Sequence, residues 1–420
     1  MVLRAVRAAE GLTEQRQWLS RLLQAQPLAS RASRATSRAT SCLRPTRSLI
    51  AVVLSLLAVS RGDFLCFVQG AQRQVWPWQS PGNWHKQNRL PDNLRGSGAS
   101  RRTVRAWSGG DQERLQVRMP DALIEIQEAL AQEAAARYQR LELQLPEVFS
   151  DRPVGATFLG PSPALATAAA AKEQPPILLL HGFDSSALEF RRLLPELEDR
   201  GVAVHFLDLL GWGFGDTEGV LDFSPAAKRA HLYAFWQQHL GSRPMVLGGA
   251  SLGGGIAIDF AAAHPEAVER LVLIDAQGFI DGAPSLGPLG GLGIKLLGSW
   301  PLRSIANQMA YYDKALATDD AIRIGRLHVE TEGWEAASLN YLNSGGYTLS
   351  PLVSRVRVPT LLLWGEKDEI LDGTEVVPRF LEELQGPVRL EWIPESGHVP
   401  HLEQPQRTAE LIKDFLQSSS

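Results

Sequence analysis

Six short apolar runs punctuate the chain from residue 177 onward. They are ILLL (Ile177–Leu180), VAVHFLDL (Val202–Leu209), PMVLGG (Pro244–Gly249), RLVLIDA (Arg270–Ala276), TLLLWGE (Thr360–Glu366) and VRLEWIP (Val388–Pro394). Runs this short, with little polar alternation, predict strands of a parallel sheet covered on both faces. Between them lie SSALEFRRLLPELEDRG, SPAAKRAHLYAFWQQHLG and GGIAIDFAAAHP, whose apolar residues recur at helical spacing. The second of these opens on Ser224, suited to an N-cap, and Pro225, suited to the first helical position. ELIKDFLQ reads as one more helix. The alternation predicts an α/β fold with an open, mostly parallel central sheet flanked by helices. In such sheets functional residues gather beyond the carboxyl ends of the strands.

Upstream, DALIEIQEALAQEAAARYQRLELQL carries apolar residues at helical spacing and is read as one helix. VGATFL (Val154–Leu159) is read as an early strand and PALATAAAAKEQPP as a loop. The strand rhythm stops between Ala276 and Pro359, where LGPLGGLGIKLLGSWPLRSIANQM and DDAIRIGRLHVETEGW show helical patterns instead. This stretch is expected to form a helical cap inserted after a strand. Its apolar part, Leu286–Leu302, is expected to be cap core, the other reading being a lid in contact with lipid. If it lines the pocket, the substrate carries a substantial hydrophobic group. The expected organisation is a targeting leader (1–69), a disordered linker (70–119), a first core segment (120–275), the cap (276–358) and a second core segment (359–418). No internal repeat is visible.

Charge divides the chain differently. Of its 420 residues, the first 105 hold 17 Lys+Arg against 4 Asp+Glu, a net of +13, and the remainder holds 25 against 42, a net of −17. The first quarter is therefore a different kind of polypeptide. Residues 1–48 are rich in Arg, Ser and Ala, and LIAVVLSLLAV (Leu49–Val59) follows. At about half the roughly 20 residues a membrane span needs, that run fits a signal-peptide core, with Ala58-Val59-Ser60 as a small-residue cleavage site. Next comes RGDFLCFVQGAQRQ, again basic, with Phe64 and Phe67. The succession resembles the two-part leaders of plastid proteins in algae with complex plastids, and a plastid location is expected, with mitochondrion or membrane anchoring by an uncleaved leader as the other readings. The acidic part shows no basic patch suited to nucleic acid. Both cysteines, Cys42 and Cys66, lie in the basic quarter, which excludes a disulfide framework, Cys-ligated zinc and a thiol nucleophile from the rest.

The chemistry begins at Gly249-Ala250-Ser251-Leu252-Gly253, a G-x-S-x-G pattern. It sits between an apolar strand and an apparent helix, the setting of a nucleophile elbow. Glycines two residues to either side of Ser251 let strand and helix meet closely. A serine hydroxyl needs a base, and His398 in ESGHVPHLEQP follows the last predicted strand. The histidine needs a carboxylate to fix its tautomer, and Asp368 in WGEKDEIL follows TLLLW. The order Ser, Asp, His is the one expected of this architecture. Glu366 and Glu369 flank Asp368 and are read as a strand end and a solvated side chain, and His401 is the second candidate base, with a structural role favoured. The oxyanion is expected to be held by the backbone N–H groups of Leu252 and of Phe183, in the loop His181-Gly182-Phe183-Asp184. His181 is expected to shape that loop and Phe183 to contact substrate, and Trp212 is read equally as a substrate contact or a packing residue. His205, His231, His239, His264 and His328 show no paired ligand spacing, so no metal is expected.

HGFDSS, DLLGWGFGDT, GASLGG, GEKDEIL and SGHVPHLEQP resemble the successive signatures of the α/β-hydrolase superfamily, over about Val154 to Leu416. HGFDSSALEFR, DLLGWGFGDTE, KRAHLYAFW and IGRLH are similar to plastid α/β-hydrolases of plants and algae. The resemblance implies the fold and a hydrolytic chemistry without cofactor, and leaves the substrate open. Serine at 251 departs from haloalkane dehalogenases and epoxide hydrolases, which carry aspartate there. The expected function is a serine hydrolase acting on a carboxylic ester with a hydrophobic group. The alternatives are carbon–carbon bond hydrolysis of the meta-cleavage type and a non-catalytic small-molecule binder. The expected partner is a small hydrophobic substrate, with no nucleic acid and with membrane contact open through cap or leader.

Overall fold

A computed structural model of the chain describes residues 117–283 and 290–418. The leader and most of the linker expected from the sequence, with both cysteines, lie outside these residues. Eight strands form one sheet: β1 (Tyr138–Leu143), β2 (Val154–Leu159), β3 (Ile177–Leu180), β4 (Val204–Leu207), β5 (Met245–Ala250), β6 (Val268–Ile274), β7 (Thr360–Gly365) and β8 (Val388–Ile393). Their order is β1-β2-β4-β3-β5-β6-β7-β8. The pairs β1–β2 and β2–β4 are antiparallel, and all the others are parallel.

The apolar runs become strands because both faces are covered, and the pleat sends alternate residues into two cores. Leu178, Leu180, Leu247, Leu271, Leu273 and Leu362 enter one core, together with Phe235, Ile256 and Phe260. Ile177, Leu179, Val246, Val272 and Leu361 enter the other, with Leu193, Leu197, Leu411 and Phe415.

Two expectations are corrected. The segment read as one helix from Asp121 forms a short 3-10 turn (Asp121–Glu125), helix α1 (Ala129–Ala136) and then β1. The residues of YQRLEL are good helix formers, but pairing of Tyr138–Leu143 along the whole of β2 overrides their local preference. PALATAAAA, read as a loop, is helix α2 (Pro163–Ala171), with Pro163 in its first turn. It buries no residue, so its alanine propensity and not packing accounts for it.

The other helices are α3 (Leu193–Asp199), α4 (Pro225–Gln238), α5 (Leu252–Ala263), α6 (Gly290–Leu297), α7 (Trp300–Ala310), α8 (Asp319–Arg326), α9 (Trp334–Asn343), α10 (Ser350–Val353), α11 (Gly373–Glu383), α12 (Pro400–Glu403) and α13 (Pro405–Gln417). Ser224 caps α4 by accepting the Ala227 N–H, as its position suggested. Helices α6 to α10 lie between β6 and β7, the stretch expected to form a cap, and that stretch contains no strand among the described residues. In the apolar stretch 286–302, Ile294 is fully buried while Leu292 and Leu296 are exposed, so α6 is core on one side and open on the other.

Candidate active site

Strand β5 ends at Ala250 and α5 starts at Leu252, so Ser251 alone makes the turn, with φ 51° and ψ −120°. A residue with a side chain rarely adopts that backbone, and such strain marks functional turns. Packing imposes it. A Cβ on Gly253 would stand 2.1 Å from the Leu180 carbonyl oxygen, and one on Gly249 would stand 2.5 Å from the same atom. The two glycines therefore let α5 press against β3 and β5, and Ser251 is pushed out at the sheet's carboxyl edge. Its own N–H donates to the Ile274 carbonyl at 2.9 Å.

The loops that carry Asp368 and His398 are brought together in the same way. A Cβ on Gly365, the last residue of β7, would lie 1.9 Å from the Gly397 carbonyl oxygen. The Lys367 N–H donates to the Ser396 carbonyl at 2.9 Å. The structure thereby places His398 Nδ1 2.7 Å from Asp368 Oδ2. Asp368 Oδ1 accepts the N–H groups of Ile370 (2.7 Å) and Leu371 (2.9 Å), which fixes the carboxylate. Burial pushes the His398 imidazole down, but the Asp368 charge and hydrogen bond outweigh it, and Glu189 adds to them, so its pKa is raised above the ordinary histidine value. With Nδ1 turned to Asp368, Nε2 is the nitrogen left for the cavity.

Ser251 and His398 line one cavity of about 360 Å3, together with Phe183. Its walls are largely apolar, with Ala306 and Ala310 from α7, Ile322 and Ile324 from α8, and Ile370 and Leu402 from the core. The helices between β6 and β7 therefore form one side of the cavity. The His398 N–H donates to the Ala310 carbonyl at 2.8 Å, which joins the histidine loop to the end of α7.

Leu252 is the first residue of α5, and a helix leaves its first N–H groups without an intrahelical partner. The loop of Phe183 lies beside it: a Cβ on Gly182 would be 3.5 Å from Ser251 Cβ. His181 is buried and braces this loop. Its Nε2 accepts the Leu209 N–H at 3.0 Å and its Nδ1 lies 2.9 Å from the Gly182 carbonyl oxygen. Desolvation holds the ring's pKa down to about 4, so it is a neutral imidazole with one donor and one acceptor, as the two contacts require. Trp212 is buried and does not line the cavity. Its ring meets the Phe183 ring edge-on at 5.2 Å, and the buried Lys228 ammonium lies 3.7 Å from its centre. Trp212 thus stands behind Phe183 and shapes the wall without being part of it. His401 is fully buried, packs on Phe190 and lies 3.3 Å from Glu189 Oε1. Glu189 in turn accepts the Gly182 N–H at 3.1 Å, so this pair holds the loop from below.

Three residues beside the site were assigned no part in it from the sequence. Asp275, at the end of β6, is one: its carboxyl, that of Asp368 and the His398 imidazole present ligand atoms within 4.8 Å of one another. Asp184 and His328 are the others. Asp184 sits next to Phe183, and its carboxylate takes partners from the stretch between β6 and β7: Trp334 Nε1 at 2.7 Å, His328 Nε2 at 2.9 Å and the Arg303 guanidinium. Burial would push this carboxyl up, but Arg303 and the two hydrogen bonds hold it well below the usual carboxylate range. Asp184→Ala leaves these donors facing an apolar methyl and is expected to cost about 3 kcal/mol in a denaturant titration. Because the folded-state pKa is depressed, the contribution of Asp184 is present above the usual carboxylate range and is lost as pH falls below it.

A family model described as "Alpha/beta hydrolase family" matches residues 177–411. The chain is 40% identical over 248 residues to "Alpha/beta hydrolase domain-containing protein VTE7" of Arabidopsis thaliana, covering 58% of this chain and 74% of that one. It is 26% identical over 249 residues to "Lipase 1" of Psychrobacter immobilis, covering 57% and 76%. Among solved structures, a thermophilic esterase from Thermogutta terrifontis superposes with a TM-score of 0.53 at 21% identity, covering 66% of this chain and 98% of that one.

Proposed function

Since the chain belongs to the alpha/beta hydrolase family, we propose that it cleaves a carboxylic ester carrying a hydrophobic group, with Ser251 as nucleophile, His398 as base and Asp368 as orienting acid. The observation that carries this reading is the 2.7 Å contact of His398 Nδ1 with Asp368, on a histidine that shares one largely apolar cavity with the strained Ser251. In the proposed reaction Ser251 Oγ attacks the acyl carbon while His398 Nε2 takes its proton. The N–H groups of Phe183 and Leu252 receive the negative charge that forms on the carbonyl oxygen. Collapse expels the alcohol, which leaves with the proton from His398. Water, deprotonated by His398, then attacks the acyl-enzyme and releases the acid and free Ser251. The chemistry asks for no cofactor.

A panel of p-nitrophenyl esters of rising acyl length tests the substrate class on the full chain. Turnover should rise with length until the acyl group fills the cavity of about 360 Å3 and fall beyond it. Equal turnover at every length would count against a hydrophobic pocket, and cleavage of a diketone with no ester cleavage would favour the carbon–carbon reading. The base must be neutral, and Asp368 raises the pKa of His398 against burial, so activity should be lost on the acid side through a limb lying above the ordinary histidine range. The basic leader of residues 1–69 supports a plastid location, and N-terminal sequencing of mature protein that retains Met1 would count against cleavage of that leader. No helix among the described residues is long and apolar enough to cross a membrane.

A further inference from the structure

Asp275 stands where β6 ends, fully buried, with φ 42°. The register of the sheet puts it beside Ser251 on one side and the end of β7 on the other, since Ala250 pairs with Ile274 and Ile274 with Leu363. Its Oδ1 accepts the Gly365 N–H at 2.9 Å. Its Oδ2 is buried and receives no hydrogen bond from any described donor. The titratable groups around it are Asp368, His398 and, further off, Glu403.

Two buried carboxyls this close do not both ionise, because neither burial nor mutual repulsion tolerates two charges. The donors decide which one keeps the charge. Asp368 receives three, from His398, Ile370 and Leu371, and Asp275 receives one. The charge therefore belongs on Asp368 and the proton on the unpartnered oxygen of Asp275. Burial, then the Asp368 charge, push the Asp275 carboxyl well above the usual range, in the same sense.

We propose that Asp275 is held as a neutral carboxylic acid whose Oδ2–H is directed at Asp368, making it a positioning residue for Asp368 and, through it, for His398. The proposal rests on the Ser251–His398–Asp368 reading. A neutral Asp275 holds the acid in place and adds no second negative charge beside the histidine. A second charge would raise the basicity of His398 further and hinder its return of the proton to the leaving alcohol.

The test compares Asp275→Asn and Asp275→Ala in the full chain, with folding checked by circular dichroism. Asparagine is neutral, can accept from Gly365 and can donate an amide proton to Asp368. Asp275→Asn should therefore keep near-parental kcat and leave the acid limb of the pH profile in place. Asp275→Ala should lose about tenfold or more in kcat, the effect of removing a hydrogen bond to a charged group, with KM little changed. An acid limb displaced to lower pH in Asp275→Asn would overturn the proposal, because it would mean that a charge had been removed from beside His398. Parental kcat in Asp275→Ala would overturn it too. If the alanine variant does not fold, infrared spectroscopy decides: a protonated-carboxyl band should be present in the parent and lost in Asp275→Asn, and its absence from the parent overturns the proposal. Ester turnover surviving Ser251→Ala would instead sink the triad reading, so the two failures are told apart.

Discussion

Ser251→Ala is expected to lower kcat for ester hydrolysis roughly a million-fold, with the fold intact. In the proposed reaction the Ser251 hydroxyl is the group of this chain that forms a covalent bond to substrate, and Ser251 is the serine on the strained turn between β5 and α5. Alanine at 251 keeps the Cβ and the turn, so thermal stability should change little, and any gain would reflect relief at a serine with φ 51°. KM should hold, because the apolar walls from α7 and α8 are untouched. Stopped assays over long times, with the variant purified away from host esterases, are the measurement. A loss of less than a hundredfold would contradict the role given to Ser251.

Asp368→Asn should cost roughly ten-thousand-fold in kcat. The asparagine amide can present an N–H to His398 Nδ1, which favours the tautomer with its proton on Nε2, the wrong one to receive the serine proton. The variant also has a signature in pH. Against the pull of burial, Asp368 is the main group that raises His398 above the ordinary value, with Glu189 adding to it. Without its charge the residual activity should show an acid limb at lower pH than the parent. A variant within tenfold of the parent would mean that another carboxyl orients His398, and Asp275, within 4.8 Å, is the one in reach.

How much of this was legible in the sequence follows from how local each signal is. β3, β5, β7 and the second half of β6 carry no charged residue because both faces of the sheet are buried there, and that signature needs no long-range knowledge. Ser251 was legible because its glycines, at 249 and 253, answer a local steric demand. Asp368 and His398 were legible from their places after β7 and β8. The boundary of β1 was not, since YQRLEL becomes a strand only by pairing with β2, and α2 was not, since an alanine run flanked by prolines has no amphipathic period. The anchoring of Asp184 was invisible for a different reason. Its partners Arg303, His328 and Trp334 lie 119, 144 and 150 residues away, and nothing in a single sequence joins them. Asp275 looked like the end of an apolar strand, and only the sheet register brings it to Asp368. Trp212 carried no mark in its sequence context to separate a cavity wall from the layer behind it.

The central claim is that Ser251 is an activated nucleophile, and one experiment addresses it directly. The folded full chain and its Ser251→Ala variant are treated with a fluorophosphonate probe, and the modified residue is located by peptide mass spectrometry. The account predicts a single adduct, on Ser251, that is absent from the variant. Folded protein that stays unlabelled, or labelling that persists in Ser251→Ala, would contradict it and favour a binding role for the same cavity.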